Sequence, residues 1–300
     1  MRATGARKRA VTWRGVRLWG VAVLVMLAAA AYQRRTGPTY PMRGRMKVAG
    51  ESYAYRLARS GSSTDGARVA IPDPGPRVSA QVHFKRYRTD DPFTTLTMRR
   101  EDGEMIARLS AQPAAAKLEY FVTLDTPGGS LRVPDPDAGQ VIIRFKDDVP
   151  AYVLLPHVLF MFIAMLVGVR AGLGAVFAPG GTRRLAWTAL GLMTVGGMVL
   201  GPIVQKFAFG AFWTGFPFGY DLTDNKVLIM WVVWLGACLF IGLRGFELRR
   251  RKRVAVIIAA LVTLAVYVIP HGAQGSELDW EAVEQGVPPS EAVKTGPEGR

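Results

Sequence analysis

The sequence predicts a membrane α-helical bundle of five transmembrane helices, joined to an extracytoplasmic all-β sandwich domain of the immunoglobulin or fibronectin type III kind. Three observations lead to this fold class. Five runs are nearly free of charge, and each has about the length of a helix that crosses the roughly 30 Å hydrocarbon core of a bilayer. Basic residues collect on alternate connections between these runs. Short segments of alternating hydrophobicity, broken by Gly, Pro and Asp, fill residues 33–150.

The first element is a basic cytoplasmic N-terminus at residues 1–15, which leads into transmembrane helix 1 at residues 16–32. A basic start, an apolar core and the small residues of "LAAAAY" are also typical of a cleavable signal peptide. The length of the apolar run favours a retained signal anchor. Both interpretations place the next segment outside the cytoplasm.

Residues 33–150 predict the β-sandwich, with about seven antiparallel strands. The apolar residues of "VSAQVHF", residues 78–84, alternate with other side chains and share one face of a strand. "DG" at 102–103 and "PGG" at 127–129 are turn signals between neighbouring strands. The single cysteine, Cys238, lies in the fourth apolar run, so no disulfide within the chain supports this domain.

Residues 151–270 predict a four-helix transmembrane region with an aromatic outer loop at residues 205–226. Its helices are expected at 151–169, 185–204, 227–243 and 254–270. Small residues recur at four-residue spacing in these runs, which lets helix backbones approach closely in lipid. The helix-packing residues so identified are Ala164, Gly168, Gly172, Gly197 and Gly201. An acidic extracytoplasmic tail with a short helix follows at residues 271–300.

The distribution of charge predicts the orientation of the chain. Fifteen basic residues and one acid, Glu247, lie at the N-terminus, between spans two and three, and between spans four and five. In a five-span topology these three segments share one side, and the positive-inside rule makes that side cytoplasmic. The sequence therefore predicts a bacterial inner-membrane protein whose β-domain and C-terminus are periplasmic. The net charge of +15 does not indicate nucleic-acid binding, because it is not gathered on one folded face.

The loop at residues 205–226 is unusually aromatic. Its rings are Phe207, Phe209, Phe212, Trp213, Phe216, Phe218 and Tyr220. Aromatic rings favour the boundary between headgroups and hydrocarbon, so a lipid-facing belt is one interpretation. The other is a docking surface for a second membrane protein or a lipophilic cofactor, partly under the β-domain and with Trp213 as its main contact.

Residues that carry chemistry are scarce. No ionisable residue lies at the centre of a predicted span, which argues against ion transport. His157 and His271 are predicted at the same outer level, where they could bind haem b from both sides or contact a quinone. The sequence favours ordinary interfacial histidines near water instead, because it has no second histidine pair and no CxxCH motif. Zinc spacings, a phosphate-binding glycine loop and a GxSxG motif are all missing from the sequence. "DLTDNK" at residues 221–226 is expected to hold a helix cap, Thr223 or Asp224, rather than a metal.

Two segments resemble a family of uncharacterised bacterial polytopic inner-membrane proteins. They are "VIIRFKDDVPAYVLLPHVLFMF" and "GPIVQKFAFGAFWTGFPFGYDLTDNK", and the similarity extends over residues 141–243. The resemblance implies an exported β-rich domain followed by four spans. It implies no known activity.

The leading functional prediction is a non-enzymatic accessory subunit that braces or docks other subunits of a multi-subunit inner-membrane complex, photosynthetic or respiratory. Its partners would be membrane-protein subunits and lipid, with no cofactor, no metal and no nucleic acid. One alternative is a haem- or quinone-binding electron-transfer protein. Another is a transporter or sensor with an exported ligand-binding domain.

Overall fold

The computed structural model describes residues 13–244, 248–269 and 275–294, and the chain divides into two compact units. The helical unit contains the described residues up to Gln33 together with those of Leu155–Gly201 and Lys226–Ile269. The sheet unit contains Arg34–Leu154, Pro202–Asn225 and residues 275–294.

Long helices make up the helical unit and continue into the sheet unit at their ends. They are α1 Trp13–Thr36, α2 Ala151–Phe177, α3 Thr182–Met193, α4 Gly201–Phe209, α5 Leu222–Ile241 and α6 Arg250–Val268. A π-helical segment, Thr194–Leu200, joins α3 to α4, so the helical path runs without a break over Thr182–Phe209.

The prediction of five transmembrane helices is wrong. Within the described part of the chain, four helices are long and apolar enough to cross a membrane, which indicates membrane association. They are Trp13–Thr36, Ala151–Phe177, Thr182–Phe209 and Leu222–Ile241. Helix α6 is not among them because its first four residues are all basic. Its uncharged remainder is about 22 Å long at 1.5 Å per residue, well short of the hydrocarbon core.

Close backbone contact holds the helical unit together. A Cβ added at Gly172 on α2 would stand 2.6 Å from the Cβ of Ala260 on α6. A Cβ at Gly168 would stand 3.0 Å from the ring of Trp234 on α5. Trp234 is fully buried, and its indole Nε1 donates to Thr263 Oγ1 at 2.8 Å. The glycines therefore let α2 lie against both α5 and α6.

Short strands fill most of the sheet unit. They are β1 Met42–Val48, β2 Glu51–Leu57, β3 Ser60–Ser62, β4 Ala67–Pro72, β5 Ser79–Arg86, β6 Thr94–Thr97, β7 Arg99–Glu101, β8 Glu104–Leu109, β9 Lys117–Thr126, β10 Gly129–Val133 and β11 Val141–Lys146. Strands β1 and β2 pair only with each other. The largest sheet has the order β3-β11-β9-β5-β6 with β10 added to β9, and β4-β8-β7 form a third sheet. One hydrophobic core draws buried residues from all three sheets.

The prediction of an immunoglobulin-like or fibronectin-like sandwich is also wrong. In the described stretch 42–146 the strands are eleven rather than about seven, and they fall into three sheets. The pairing of β11 with β3 is parallel. Frequent Gly, Pro and Asp residues divide the alternating runs into more strands than a seven-stranded sandwich has. The region is therefore sheet-rich without a clear sandwich architecture.

The turn signals nevertheless lie where the chain reverses. Asp102 and Gly103 both have positive φ, 49° and 77°, and join β7 to β8 as a two-residue hairpin loop. Two consecutive residues with positive φ favour Asp-Gly over almost any other pair. Ala80 and Val82 on β5 are buried, the face that the alternation of this segment predicts.

The C-terminal segment packs on this sheet region. It contains β12 Glu277–Leu278, α7 Trp280–Glu284 and β13 Val293–Lys294. Leu278 and Ala292 are buried in a small cluster with Ala116. The Leu278 N–H donates to the Ala115 carbonyl oxygen at 3.1 Å, so the segment is tied to the residues that precede β9.

Candidate docking surface

The aromatic loop is shorter in the structure than in the sequence prediction. Helix α4 extends to Phe209, so Phe207 and Phe209 lie on its last turn rather than in a loop. Gly210, with φ of 83°, ends this helix, and its N–H donates to the Lys206 carbonyl oxygen at 3.0 Å. The connection to α5 therefore comprises residues 210–221. We keep the name aromatic loop for residues 205–226.

Hydrogen bonds to two side chains in the first turn of α5 fix the backbone of the aromatic loop. The Thr214 N–H donates to Asp224 Oδ2 at 2.7 Å, and the Phe216 N–H donates to Asn225 Oδ1 at 2.7 Å. A Cβ added at Gly215 would stand 2.6 Å from the Cβ of Asp224. Glycine at this position thus lets the loop lie directly on the first turn of α5.

Asp221 links the aromatic loop to the C-terminal segment. Its Oδ1 accepts the Thr223 N–H at 2.7 Å and so caps α5. Its Oδ2 accepts both the N–H and the hydroxyl of Ser276 at 2.9 Å. The helix cap is therefore Asp221 and not Thr223 or Asp224. Since its oxygens already accept several hydrogen bonds, this carboxylate is a structural acceptor.

Buried polar residues of the sheet unit form one connected group, which we call the polar network. It consists of Gln205, Thr214, Asp221, Asp224 and Ser276. All five are buried. No group of three or more His, Cys, Asp or Glu side chains is placed to hold a metal ion anywhere in the described part of the chain.

Strand β11 covers one ring of the aromatic loop. The guanidinium of Arg144 lies over the Phe209 ring, 4.0 Å from its centroid, and its Nη2 donates to the Ser276 carbonyl oxygen at 2.8 Å. Burial lowers the pKa of Arg144, and the nearby carboxylates of Asp221 and Glu277 oppose that shift. Arg144 thus joins the sheet, the loop and the C-terminal segment.

Ion pairs hold the C-terminal segment in place. Lys117 Nζ donates to Glu277 Oε2 at 2.8 Å; burial lowers the pKa of Lys117, and the bond to Glu277 opposes the shift. Arg86 Nη1 donates to Glu284 Oε1 at 2.5 Å, and Arg86 also pairs with Asp91. Hydrogen bonds from Arg86, and then from a neighbouring threonine, lower the pKa of Asp91 to about 2.

The aromatic rings divide into covered and exposed sets. Trp213 is half-buried, and its Nε1 donates to the Phe216 carbonyl oxygen at 3.0 Å within the loop. By contrast, the exposed fractions are 57% for Phe212, 64% for Phe216 and 82% for Phe218. Tyr220 is also largely exposed. The ring that is most available to a partner is therefore Phe218, whereas Trp213 helps to shape the loop.

His157 has a hydrogen-bond partner inside the helical unit. Its Nδ1 donates to the Gly196 carbonyl oxygen at 2.8 Å, within the π-helical segment. The same carbonyl oxygen also accepts the Gly201 backbone N–H, so the histidine adds a second hydrogen bond at this point of the π-helical segment. His271 lies outside the described residues. The prediction that these two histidines together bind haem or a quinone therefore stays a prediction.

The predicted helix-packing residues are not equivalent. Ala164 is buried, and Gly168 and Gly172 make the close approaches described above. A Cβ at Gly197 would stand 2.8 Å from Val227, whereas one at Gly201 would meet nothing nearer than 3.7 Å. The sequence reading missed Gly196, whose Cβ would stand 2.8 Å from that of Phe160 on α2. The consecutive glycines at residues 196–197 could have predicted this close contact between helices.

No protein-family model matches the chain, and no curated protein matches it.

Proposed function

We propose that this protein is a non-enzymatic accessory subunit that docks onto another subunit of a multi-subunit bacterial inner-membrane complex. The docking surface is the set of exposed rings on the aromatic loop: Phe212, Phe216, Phe218 and Tyr220. The observation that carries the proposal is the combination of exposed apolar rings with a backbone that hydrogen bonds to Asp224 and Asn225 hold fixed.

Exposed aromatic rings on a fixed loop favour a binding role. Apolar surface is unfavourable in water, so a group of exposed large rings marks a place where a protein or membrane is covered. Fixing the loop in advance lowers the entropy lost on binding. The bonds from Thr214 and Phe216 to Asp224 and Asn225 do this before any partner arrives. Aromatic side chains also dominate the binding energy of protein interfaces.

The proposed orientation places the sheet unit outside the cytoplasm and the N-terminus inside. The support is the excess of basic residues at the N-terminus and in the connections after α2 and α5. The aromatic loop and the strands belong to one unit, so they share a side. This puts the exposed rings in the periplasm, at the outer end of two candidate spans.

The test replaces Phe216 and Phe218 together with alanine and measures which membrane proteins co-purify after gentle solubilisation. Neither ring is buried, so the double variant is expected to insert and fold as the parent does. Recovery of a stoichiometric membrane partner should fall at least about tenfold, because two contact rings are lost. Trp213 is a poorer target, since its hydrogen bond to Phe216 also shapes the loop.

The matched control is Tyr152→Ala. Tyr152 is a comparably exposed aromatic residue at the start of α2, outside the residues of the aromatic loop. Partner recovery from this variant should equal that of the parent. Equal recovery from the Phe216/Phe218 variant would mean that the rings are only a lipid-facing belt, and the proposal would be wrong.

A further inference from the structure

Arg170 is a buried cation inside a candidate span. It lies in α2, which continues to Phe177, and only 8% of its surface is exposed. Its Nε and Nη1 are buried and have no hydrogen-bond partner among the residues that the structure describes. An ionised group in such a position is strongly unfavourable unless a counter-charge or hydrogen-bond acceptor meets it. An ionisable residue within a span is therefore a candidate site.

A second orphaned donor points to the same place. Thr182, the first residue of α3, is fully buried, and its hydroxyl has no partner in the described ranges. A Cβ added at Gly174 would stand 2.9 Å from Arg170 Nη1 and 2.9 Å from Thr182 Oγ1. Two unpaired hydrogen-bond donors thus converge beside a residue that has no side chain.

The start of α3 adds a third favourable element for an anion. Gly181, with φ of 86°, precedes the helix and provides no side-chain cap. A helix N-terminus carries partial positive charge and attracts anions. The α3 helix is 12 residues long and continues into the π-helical segment, so this end of the helix is well formed. Guanidinium, hydroxyl and helix end are together typical of phosphate recognition.

Neighbouring basic residues are already engaged, which sets Arg170 apart. Arg253 donates to the Ala175 and Val176 carbonyl oxygens at the end of α2. Arg183 donates through Nη1 to the carbonyl oxygens of Ile241 and Gly242 after α5, although its Nε is buried without a partner in the described ranges. These cations satisfy helix ends and leave the surroundings positive. No described residue offers such an acceptor to Nε or Nη1 of Arg170.

We propose that Arg170, Thr182 and the N-terminus of α3 bind the phosphate group of an anionic phospholipid. Trp19 on α1 lies beside the guanidinium, 5.5 Å from Arg170 Cζ to the ring centroid. Tryptophan is enriched at headgroup depth, so its position indicates that the site meets the bilayer where phosphates are found. Basic sites between transmembrane helices bind anionic headgroups for the same electrostatic reason.

The test measures lipid binding to the full-length protein in detergent by native mass spectrometry. Phosphatidylglycerol is titrated against phosphatidylcholine with the same acyl chains, and inorganic phosphate is added in a separate arm. The parent should prefer phosphatidylglycerol. Arg170→Gln should weaken that binding at least about tenfold, because a charge-assisted hydrogen bond is lost. Thr182→Val, which keeps the shape of the side chain, should weaken it several-fold.

The matched control is Arg184→Gln, which removes an exposed charge two residues from Thr182. Its phosphatidylglycerol affinity should equal that of the parent. Thr182→Val keeps the test decisive if Arg170→Gln does not fold. The proposal is overturned if the parent does not prefer phosphatidylglycerol, or if both site variants bind it as the parent does. Displacement of the lipid by millimolar inorganic phosphate would identify a free-phosphate site and overturn the lipid assignment.

Discussion

The helical unit and the sheet unit treat polar and apolar groups in opposite ways. In the sheet unit, Asp221 accepts hydrogen bonds from Ser276, which is 55 residues away, and Asp224 accepts one from Thr214, which is ten residues away. That unit pairs its buried carboxylates internally but leaves large rings such as Phe218 exposed. In the helical unit, glycines bring backbones into contact, while Arg170 is buried without a hydrogen bond among the described residues.

The difference indicates which kind of ligand or partner each unit can bind. The sheet unit satisfies its buried carboxylates internally and offers a partner its exposed apolar rings. A unit with an unpaired buried cation has an electrostatic site to offer an anion. The two candidate sites are therefore of different chemistry and lie in different units. Each can be altered without touching the other.

The largest effect is expected from Gly172→Leu. The new side chain would meet Ala260, against which α2 already lies at van der Waals contact, so α2 and α6 must separate. Overpacking of this kind destabilises by about 3 kcal/mol. The measurement is the thermal unfolding midpoint in detergent. Gly191→Leu is the control, because Gly191 is a helical glycine with nothing within 4 Å of its added Cβ. Equal unfolding midpoints for the two variants would show that the close contact between α2 and α6 does not stabilise the helical unit.

A smaller effect is expected from Asp221→Ala. The substitution removes the acceptor of the Ser276 N–H and hydroxyl and the cap of α5, at a cost of about 2 kcal/mol. Hydrogen exchange should become faster in residues 275–294 and in the aromatic loop, while helices of the helical unit keep their protection. Glu291→Ala, at an exposed site in the same segment, should change none of these rates. Unchanged exchange at Ser276 in Asp221→Ala would show that the polar network does not hold the segment.

The sequence predicted the local elements better than their assembly. Long apolar runs and Asp-Gly turns act over a few residues, and the helices and the hairpin at 102–103 follow from them. The fifth span failed because α6 begins inside the basic cluster at residues 250–253, which the hydropathy of the following run concealed. The sandwich failed because pairing across sheets depends on register and length, which alternation alone does not specify.

The candidate sites were predicted in part. The aromatic loop can be recognised in the sequence by its many aromatic residues. Which of their rings are covered depends on Arg144, which lies over Phe209, and on the hydrogen bond of Trp213. Ser276 and Asp221 are 55 residues apart, and no local pattern pairs them. Arg170 stands just beyond the predicted end of span two, so its burial became visible only with the packing of α3.

Photo-crosslinking in intact membranes tests the central claim most directly, because it asks what touches the exposed rings before any solubilisation. A photoreactive phenylalanine analogue is placed at Phe218, and at Leu155, an exposed residue of α2, as the control. Docking predicts a discrete protein adduct from position 218 that is lost in the Asp221→Ala background, where the loop is no longer fixed. Position 155 should give only lipid adducts. Lipid adducts alone from position 218 would contradict the account and identify the aromatic loop as a membrane belt.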